Sequence, residues 1–154
     1  VSDPEPSKRE RALRFGADRA VDAFDPDFSA AAAAALDGTA DVVFDCVGAE
    51  ASIRQAMSAL RRAGTLLIVG VPPRDGTVAL PTIQDWELRV QGCANYTAQD
   101  IETAIAIAAE GGLPGREIVS AVYGLEQATE AFEVAAQGTA GKVVIAPRIG
   151  ADAT

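Results

Sequence analysis

The stretch DVVFDCVGAEASIRQAMSALRRAGTLLIVGVPP, residues 41–73, decides the fold, because it reads as strand, glycine turn, helix, glycine turn and strand. Residues 42–47 and 66–71 are short, nearly continuous apolar runs, which is the pattern of strands buried on both faces of a parallel sheet. Between them, residues 52–63 repeat apolar side chains at helical spacing, and Gly64 stands where a left-handed residue commonly ends a helix. The stretch therefore predicts one βαβ unit, whose right-handed crossover brings both Val-Gly turns to the carboxyl edge of the sheet.

Composition places the chain among soluble α/β proteins. Its 154 residues are 49% hydrophobic, which is enough for one domain with a core. The net charge of −9 and the lack of a long basic run predict no nucleic-acid partner and no attraction to an anionic membrane. No stretch approaches the roughly 20 apolar residues that cross a bilayer, and the charged N-terminus does not resemble a signal peptide. We therefore expect a cytoplasmic location.

The chain has two cysteines and no histidine, which limits the chemistry it can perform. Cys46 and Cys93 both lie in apolar, strand-like runs, so we predict buried reduced thiols rather than a disulfide or a metal pair. Without histidine, the chain alone cannot build a zinc site of ordinary composition, a Ser-His-Asp triad or a histidine proton shuttle. The sequence thus predicts no catalytic residue and no metal ligand.

The segment before residue 41 continues the alternation of strands and helices. Val1 to Asp3 reads as the end of a strand, since Pro4 and Pro6 forbid further ladder pairing. Ser7 and Glu10 predict a capping box for a helix that Gly16 ends. A short strand at residues 20–21 and an alanine-rich helix capped by Ser29 follow.

The regular alternation of strands and helices is interrupted after residue 73. Short strands are predicted over residues 77–80 and 88–94, with no helix of ordinary length between them. Beyond these, we predict helices over 101–110 and 126–137 and strands over 118–123 and 142–146, followed by a frayed tail.

Five motifs occur in order: VSDPEPSKRERALRFGAD, DVVFDCVG, GTLLIVGVPP, WELRVQGC and LEQATEAFEVAAQGTAGKVVIAP. Together they resemble the C-terminal part of a medium-chain dehydrogenase/reductase of the zinc-type alcohol and polyol dehydrogenase group. The resemblance implies an α/β fold with a Rossmann-like, doubly wound parallel sheet. It also implies three regions: a partial dinucleotide-binding domain over residues 1–93, a return of the chain into the catalytic domain over 94–147, and a tail over 148–154.

The first strand, the G-x-G-x-x-G turn and the zinc-binding catalytic domain of this family would all precede Val1. Gly64, Gly70 and Gly76 do not form that fingerprint, whose glycines follow the first strand and open a helix. In the order 3-2-1-4-5-6, strand 1 is central, so we expect a sheet that is incomplete at its N-terminus. Either another segment fills the gap beside strand 4, or the sheet is rearranged.

By resemblance, Asp3 would accept hydrogen bonds from the adenosine ribose hydroxyls and repel a 2′-phosphate, which favours NAD over NADP. Lys8 would reach the same ribose. The alternatives are an Asp-Pro turn for Asp3 and an ordinary surface lysine for Lys8.

The two glycine turns would flank the adenine and the nicotinamide through Val47, Gly48, Val69, Gly70 and Val71. Their valine side chains are expected in the core, whereas the glycines would leave room for a ligand to approach the backbone. Further along the chain, the backbone at Cys93, rather than its thiol, would face the nicotinamide carboxamide. Lys142 would pair with the pyrophosphate, or would be an ordinary lysine at a strand edge, and Trp86 would pack in the core or at an interface.

Two functions follow from the resemblance. The first is part of an NAD-dependent, zinc-type alcohol or polyol dehydrogenase acting on a small-molecule alcohol, with zinc bound outside this chain and the chain inactive alone. A zinc-free quinone reductase of the same superfamily is a lesser variant. The second is a catalytically inert module for nucleotide binding or oligomerisation.

The segment 77–81, from Thr77 to Pro81, is expected to pair with its two-fold mate, making the protein at least a homodimer. The alternative is a surface hairpin formed with a strand of the same chain.

Overall fold

The computed structural model describes residues 1–72, 74–111, 115–138 and 140–147, without the side chain of Arg116. The chain divides into two compact units, residues 1–95 and residues 96–154. Within the described residues, no helix combines the length and the apolar character needed to span a membrane. Pro73, the last residue of the stretch that predicts the βαβ unit, and the predicted tail over 148–154 fall outside the described residues.

The first unit alternates strands and helices throughout. Its elements are β1 (Ser2–Asp3), α1 (Pro6–Arg14), β2 (Val21–Asp22), α2 (Phe28–Leu36), β3 (Ala40–Asp45), α3 (Glu50–Ala59), β4 (Leu60–Ile68), α4 (Leu80–Asp85) and β5 (Arg89–Gly92). Strands β1 and β2 form one parallel pair, and β3, β4 and β5 form a second parallel sheet in that order. The predicted α/β, Rossmann-like architecture and its central βαβ unit are confirmed.

Both predicted caps in the first half of this unit are wrong by two residues. Helix α1 is capped by Glu5, whose carboxylate accepts from the Ser7 backbone N–H at 3.5 Å, because Pro6 lies in the first turn and moves the cap one residue before it. Helix α2 is capped by Asp27, which accepts from the Ala30 N–H at 3.2 Å. Gly16 ends α1 as predicted, with a φ of 100°.

The junction of α3 and β4 also differs from its prediction. Helix α3 stops at Ala59 and β4 starts at Leu60, and the residue with a left-handed backbone is Ala63 inside β4, with a φ of 57°, rather than Gly64. Gly64 is required for a different reason, since a Cβ there would lie 2.8 Å from the Arg61 carbonyl oxygen. Gly64 is therefore needed because neighbouring residues pack closely against its backbone.

The predicted strand over residues 77–80 is wrong, because residues 75–79 have no regular secondary structure and Leu80 opens α4. The segment pairs with no strand of the described residues, and β4 is already paired on both sides, with β3 and with β5. Pro81, within the first turn of α4, suits a helix start. The strand predicted after it is confirmed, with bounds Arg89–Gly92.

One face of the β3-β4-β5 sheet forms the core. Leu60 and Leu66 are fully buried, and Ala56, Met57 and Leu88 complete the buried cluster. On the opposite face, Val42 and Phe44 alternate with the core residues of β3 and remain 46% and 65% exposed. The sheet is thus covered by helices on one side only within the described residues.

The second unit contains α5 (Ala98–Ala109), α6 (Gly115–Ile118), β6 (Val119–Gly124), a 3-10 turn (Leu125–Gln127), α7 (Ala128–Ala136) and β7 (Lys142–Ala146). Strands β6 and β7 pair in parallel, and β7 has the predicted bounds. The short helix α6 was not predicted. Helix α5 begins with a reciprocal capping box, and the hydrogen bonds from the Thr97 backbone N–H and hydroxyl lower the pKa of Asp100.

We expect Leu66→Ala to lower the free energy of unfolding by about 2–5 kcal/mol, because it removes a fully buried side chain from the centre of the core. Leu36→Ala is the matched control, since Leu36 is 50% exposed at the end of α2, and it should cost less than about 1 kcal/mol. Urea unfolding followed by circular dichroism compares the two. Equal losses would contradict the assignment of Leu66 to the core.

Candidate functional site

The candidate site is the carboxyl edge of the β3-β4-β5 sheet. The register Asp45↔Ile68↔Gly92 ends the three strands at one level. The residues that follow these ends are therefore neighbours along one edge, and they include six of the predicted cofactor residues: Val47, Gly48, Val69, Gly70, Val71 and Cys93.

Two glycines bring the turns after β3 and β4 into backbone contact. A Cβ on Gly70 would lie 2.4 Å from the Gly48 nitrogen, and a Cβ on Gly48 would lie 2.9 Å from the Gly70 oxygen. Gly48 also has a φ of 72°, which side chains disfavour. We call residues 47–48 and 69–70 the glycine crossing. A side chain at either position would collide first with the chain's own backbone, so the contact between the turns already requires both glycines. That they also leave room for a ligand stays a prediction.

Asp45 connects the two turns of the glycine crossing by hydrogen bonds. Its Oδ2 accepts from the Gly48 N–H at 2.8 Å, and its Oδ1 accepts from the Val47 N–H at 3.4 Å. Its carbonyl oxygen accepts from the N–H groups of Val69 and Gly70, at 2.8 and 2.9 Å. Asp45 is 4% exposed, so one buried residue takes up all four amide donors of the glycine crossing.

Sequence reasoning missed Asp45. The available signal was an acidic residue that interrupts an apolar run and is followed three residues later by glycine, the spacing at which a carboxylate can accept from the backbone of its own turn.

The side chains of this edge face outward. Val47, Val69 and Val71 are 63%, 44% and 87% exposed, so the expectation that they lie in the core is wrong. Cys46 and Cys93 are exposed free thiols, and the prediction of buried thiols is also wrong, because each cysteine lies one residue beyond the end of its strand. The Cys93 N–H is already donated to the Ile68 carbonyl oxygen at 2.9 Å.

This geometry limits what the edge can bind. Phosphate sites at turns present free backbone N–H groups, and the four amides of the glycine crossing point to Asp45 instead. The crossing offers apolar side chains and backbone carbonyl acceptors. It therefore suits an uncharged or cationic ring carrying hydroxyl or amide donors better than it suits a phosphate.

Asp3 and Lys8 lie at the end of β1 and in the first turn of α1. The Asp3 Oδ1 accepts from the Glu5 N–H at 2.8 Å, which is the turn chemistry of the alternative interpretation, and no described residue donates to its Oδ2. Arg9 donates to the Asp3 carbonyl oxygen at 2.6 Å and lies 3.3 Å from Asp22 Oδ2. Lys8 is half-buried, and its backbone N–H donates to the Glu5 carbonyl oxygen at 3.1 Å, while its side-chain amine has no partner in the described ranges.

Lys142, the remaining predicted cofactor residue, lies in the second unit. It opens β7 opposite Val119 and is exposed. The preceding Gly141 donates its N–H to the Ser120 hydroxyl at 2.7 Å.

Two hollows lie along α3, and one of them adjoins the glycine crossing. This one, of about 160 Å³, lies at the start of α3 and is lined by Gly48, Glu50 and Pro72, among others. A larger one of about 440 Å³ lies between α3 and the 77–79 segment, with Met57, Val78 and Trp86 in its walls. In the part of the chain that the structure describes, no three Cys, Asp or Glu side chains are grouped so as to hold a metal ion, so these residues do not fit a zinc site.

The family profile described as zinc-binding dehydrogenase matches residues 1–110. The chain belongs to this family. The resemblance to the zinc-type group of medium-chain dehydrogenases is thereby confirmed.

Two curated relatives illustrate the likeness. A D-xylulose reductase of Saccharomyces cerevisiae is 32% identical over 94 residues, 61% of this chain and 26% of that protein. A sorbitol dehydrogenase of Bacillus subtilis is 30% identical over 139 residues, 89% of this chain and 39% of that protein. Among solved structures, alcohol dehydrogenase TADH from Thermus sp. ATN1 is 26% identical with a TM-score of 0.84, covering 96% of this chain and 43% of that chain. The chain thus spans well under half the length of these dehydrogenases.

We expect Gly70→Ala to destabilise the protein by about 2–4 kcal/mol, since its methyl group would collide with the backbone of residues 47–48. Gly92→Ala is the matched control, because a Cβ at Gly92 meets nothing within 4 Å. Thermal unfolding of both variants tests the glycine crossing. A Gly70→Ala variant as stable as Gly92→Ala would show that the two turns are not in contact.

Proposed function

We propose that this chain supplies the cofactor floor of an NAD-dependent alcohol or polyol dehydrogenase, which moves hydride between an alcohol carbon and the nicotinamide ring. The observation that carries the proposal is the glycine crossing, whose amides are directed inward and whose apolar side chains face out. Membership of the zinc-binding dehydrogenase family and the names of the matched relatives support it. The substrate is a small-molecule alcohol, and the location is the cytoplasm.

Each site residue then has a distinct role. Val47, Val69 and Val71 give the nicotinamide half an apolar surface, and Gly48 and Gly70 allow the close turn on which it rests. The backbone at Cys93 meets the carboxamide through its carbonyl group, since the N–H is used within the sheet. Lys142 offers a positive charge to the pyrophosphate from the segment that returns to the catalytic domain.

Asp3 sets the preference for NAD. Its Oδ2 is open to a ribose hydroxyl, and its negative charge opposes the 2′-phosphate of NADP. Arg9 could otherwise attract that phosphate, but its side chain is 19% exposed and is held by Asp22 and by the Asp3 carbonyl. The neighbouring Lys8 has an amine without a described partner and completes the ribose site.

Zinc, where the complete enzyme contains it, would act as a Lewis acid on the alcohol oxygen. The described residues do not fit a zinc site, so we assign this chain no part in polarising the alcohol, and we expect the chain alone to be inactive. An inert nucleotide-binding or oligomerisation module is the second candidate. Dinucleotide binding by a full-length protein that turns over no alcohol would select it.

Assembly is proposed through residues 77–81. This segment forms no ladder with the described part of its own chain, which disfavours the hairpin alternative. The Thr77 N–H is held by Glu50 Oε2 at 3.3 Å, while Val78 and Leu80 are 37% and 67% exposed beside the larger hollow. Two such segments pairing antiparallel about a two-fold axis would cover these apolar side chains.

The cofactor proposal is tested in the full-length protein by Asp3→Ser, alone and with Asp22→Asn. Losing a charge-assisted bond to the ribose should weaken NAD binding by about tenfold or more. The second change releases Arg9 and should improve NADP binding further. Fluorescence titration measures both affinities, and Asp41→Asn, an exposed carboxylate elsewhere on the same unit, is the control. A wild-type preference for NADP would refute the role of Asp3.

The assembly proposal is tested by Val78→Pro, which removes one ladder donor from each copy, and should raise the dimer dissociation constant by about tenfold or more. Within the described chain the Val78 N–H has no acceptor, so the monomer should keep its stability. Val78→Ala keeps the donor and should have a smaller effect. Analytical ultracentrifugation at micromolar concentration gives the constants, and a monomeric wild-type protein would exclude the interface.

A further inference from the structure

Asp45 places a negative charge beneath the glycine crossing, and no basic side chain among the described residues forms an ion pair with it. Arginine–carboxylate pairs in these ranges include Arg9 with Asp22, Arg54 with Glu50 and Arg61 with Asp41. None of them includes Asp45, whose two oxygens accept only backbone N–H groups. The carboxylate is therefore balanced by amide dipoles alone.

The position of this charge is fixed by the turn that it holds. Asp45 and Gly48 are both buried, and the Gly48 backbone packs directly against that of Gly70. The carboxylate is thus separated from the outer surface of the edge by a closely packed layer of backbone with no room for a side chain. Charge effects across such a layer are screened less than they are across water.

We propose that Asp45 shifts the relative affinity of the site toward the oxidised cofactor and away from the reduced one. This inference rests on the proposed function, which puts the nicotinamide half on the glycine crossing. The oxidised ring carries a positive charge and the reduced ring is neutral, while the ribose and phosphate groups of the two forms are the same. A fixed negative charge under the ring therefore acts on the difference between them.

Asp45 does not reach the ligand in this arrangement and is not a catalytic residue. It is a specificity-determining residue that acts through its field, in addition to its structural role in the turn. The two roles have separable consequences. Loss of the structural role weakens both forms of the cofactor alike, whereas loss of the charge changes the ratio of their affinities.

The test uses Asp45→Asn in the full-length protein, with dissociation constants for NAD⁺ and NADH measured by calorimetry. We expect the ratio of NADH to NAD⁺ dissociation constants to fall by about threefold to tenfold. Asp41→Asn is the matched control, because Asp41 lies near the other end of β3 and is exposed and paired with Arg61. This control should leave the ratio unchanged.

A measurement on the wild-type protein keeps the inference testable if Asp45→Asn does not fold. A dinucleotide with a neutral benzamide ring in place of the nicotinamide has nearly the same shape as NAD⁺ and lacks its charge. The wild-type protein should bind it about threefold to tenfold more weakly than NAD⁺. Equal affinities would overturn the inference.

The remaining outcomes are also decisive. If Asp45→Asn weakens NAD⁺ and NADH by the same factor, Asp45 has only its structural role, and the inference fails while the proposed function stands. If the wild-type protein binds neither form, the proposed function fails, and this inference fails with it. A fall in the ratio confined to Asp45→Asn supports both.

Discussion

The hydrogen bonds of Asp45 are the constraint on which the candidate site depends. Its side chain closes the turn after β3, and its carbonyl group receives the first two amides after β4, so one residue fixes the ends of two neighbouring strands. This arrangement works only where the two turns touch, which is why Gly48 and Gly70 must lack side chains. The orientation of the amides, and hence the chemistry of the edge, follows from this one residue, through its carboxylate for residues 47–48 and its carbonyl oxygen for residues 69–70.

The alternation of strands and helices was predictable because its signals are local. Apolar runs of five or six residues separated by a helical repeat gave β3, α3 and β4 in order, although the structure ends α3 four residues earlier than predicted. The strands β6 and β7 were recognised in the same way, and β7 has the predicted bounds, whereas their parallel pairing was not predicted. Such patterns show which side chains of an element face the sheet. They depend only on residues within the same helical turn or strand, so they can be read from the sequence.

Features that depend on a partner distant in sequence were not predictable in this way. Residues 77–80 have a strand-like composition, but a strand needs a partner, and this segment pairs with no strand of the described residues. The exposure of Cys46 and Val47 depends on β3 ending at Asp45, whereas the apolar run continues for two more residues. The role of Asp45 required the position of β4 as well, since half of its hydrogen bonds go to residues 69–70.

The residues of the proposed cofactor site in the first unit lie on two separate sheets, and no strand pairing among the described residues connects these sheets. Asp3 ends the β1-β2 pair and the glycine crossing ends the β3-β4-β5 sheet, and the two are tied by helix contacts, including the bond from Gln55 Nε2 to the Ala23 carbonyl at 2.7 Å. Strands β1 and β3 each have a single partner, and Val42 and Phe44 remain exposed. The two halves of a dinucleotide can bind at once only if their subsites are held at a fixed spacing. Among the described residues that spacing is set by helix contacts such as the bond from Gln55 to Ala23, so the proposed cofactor site depends on the packing of α3 as much as on the strand ends.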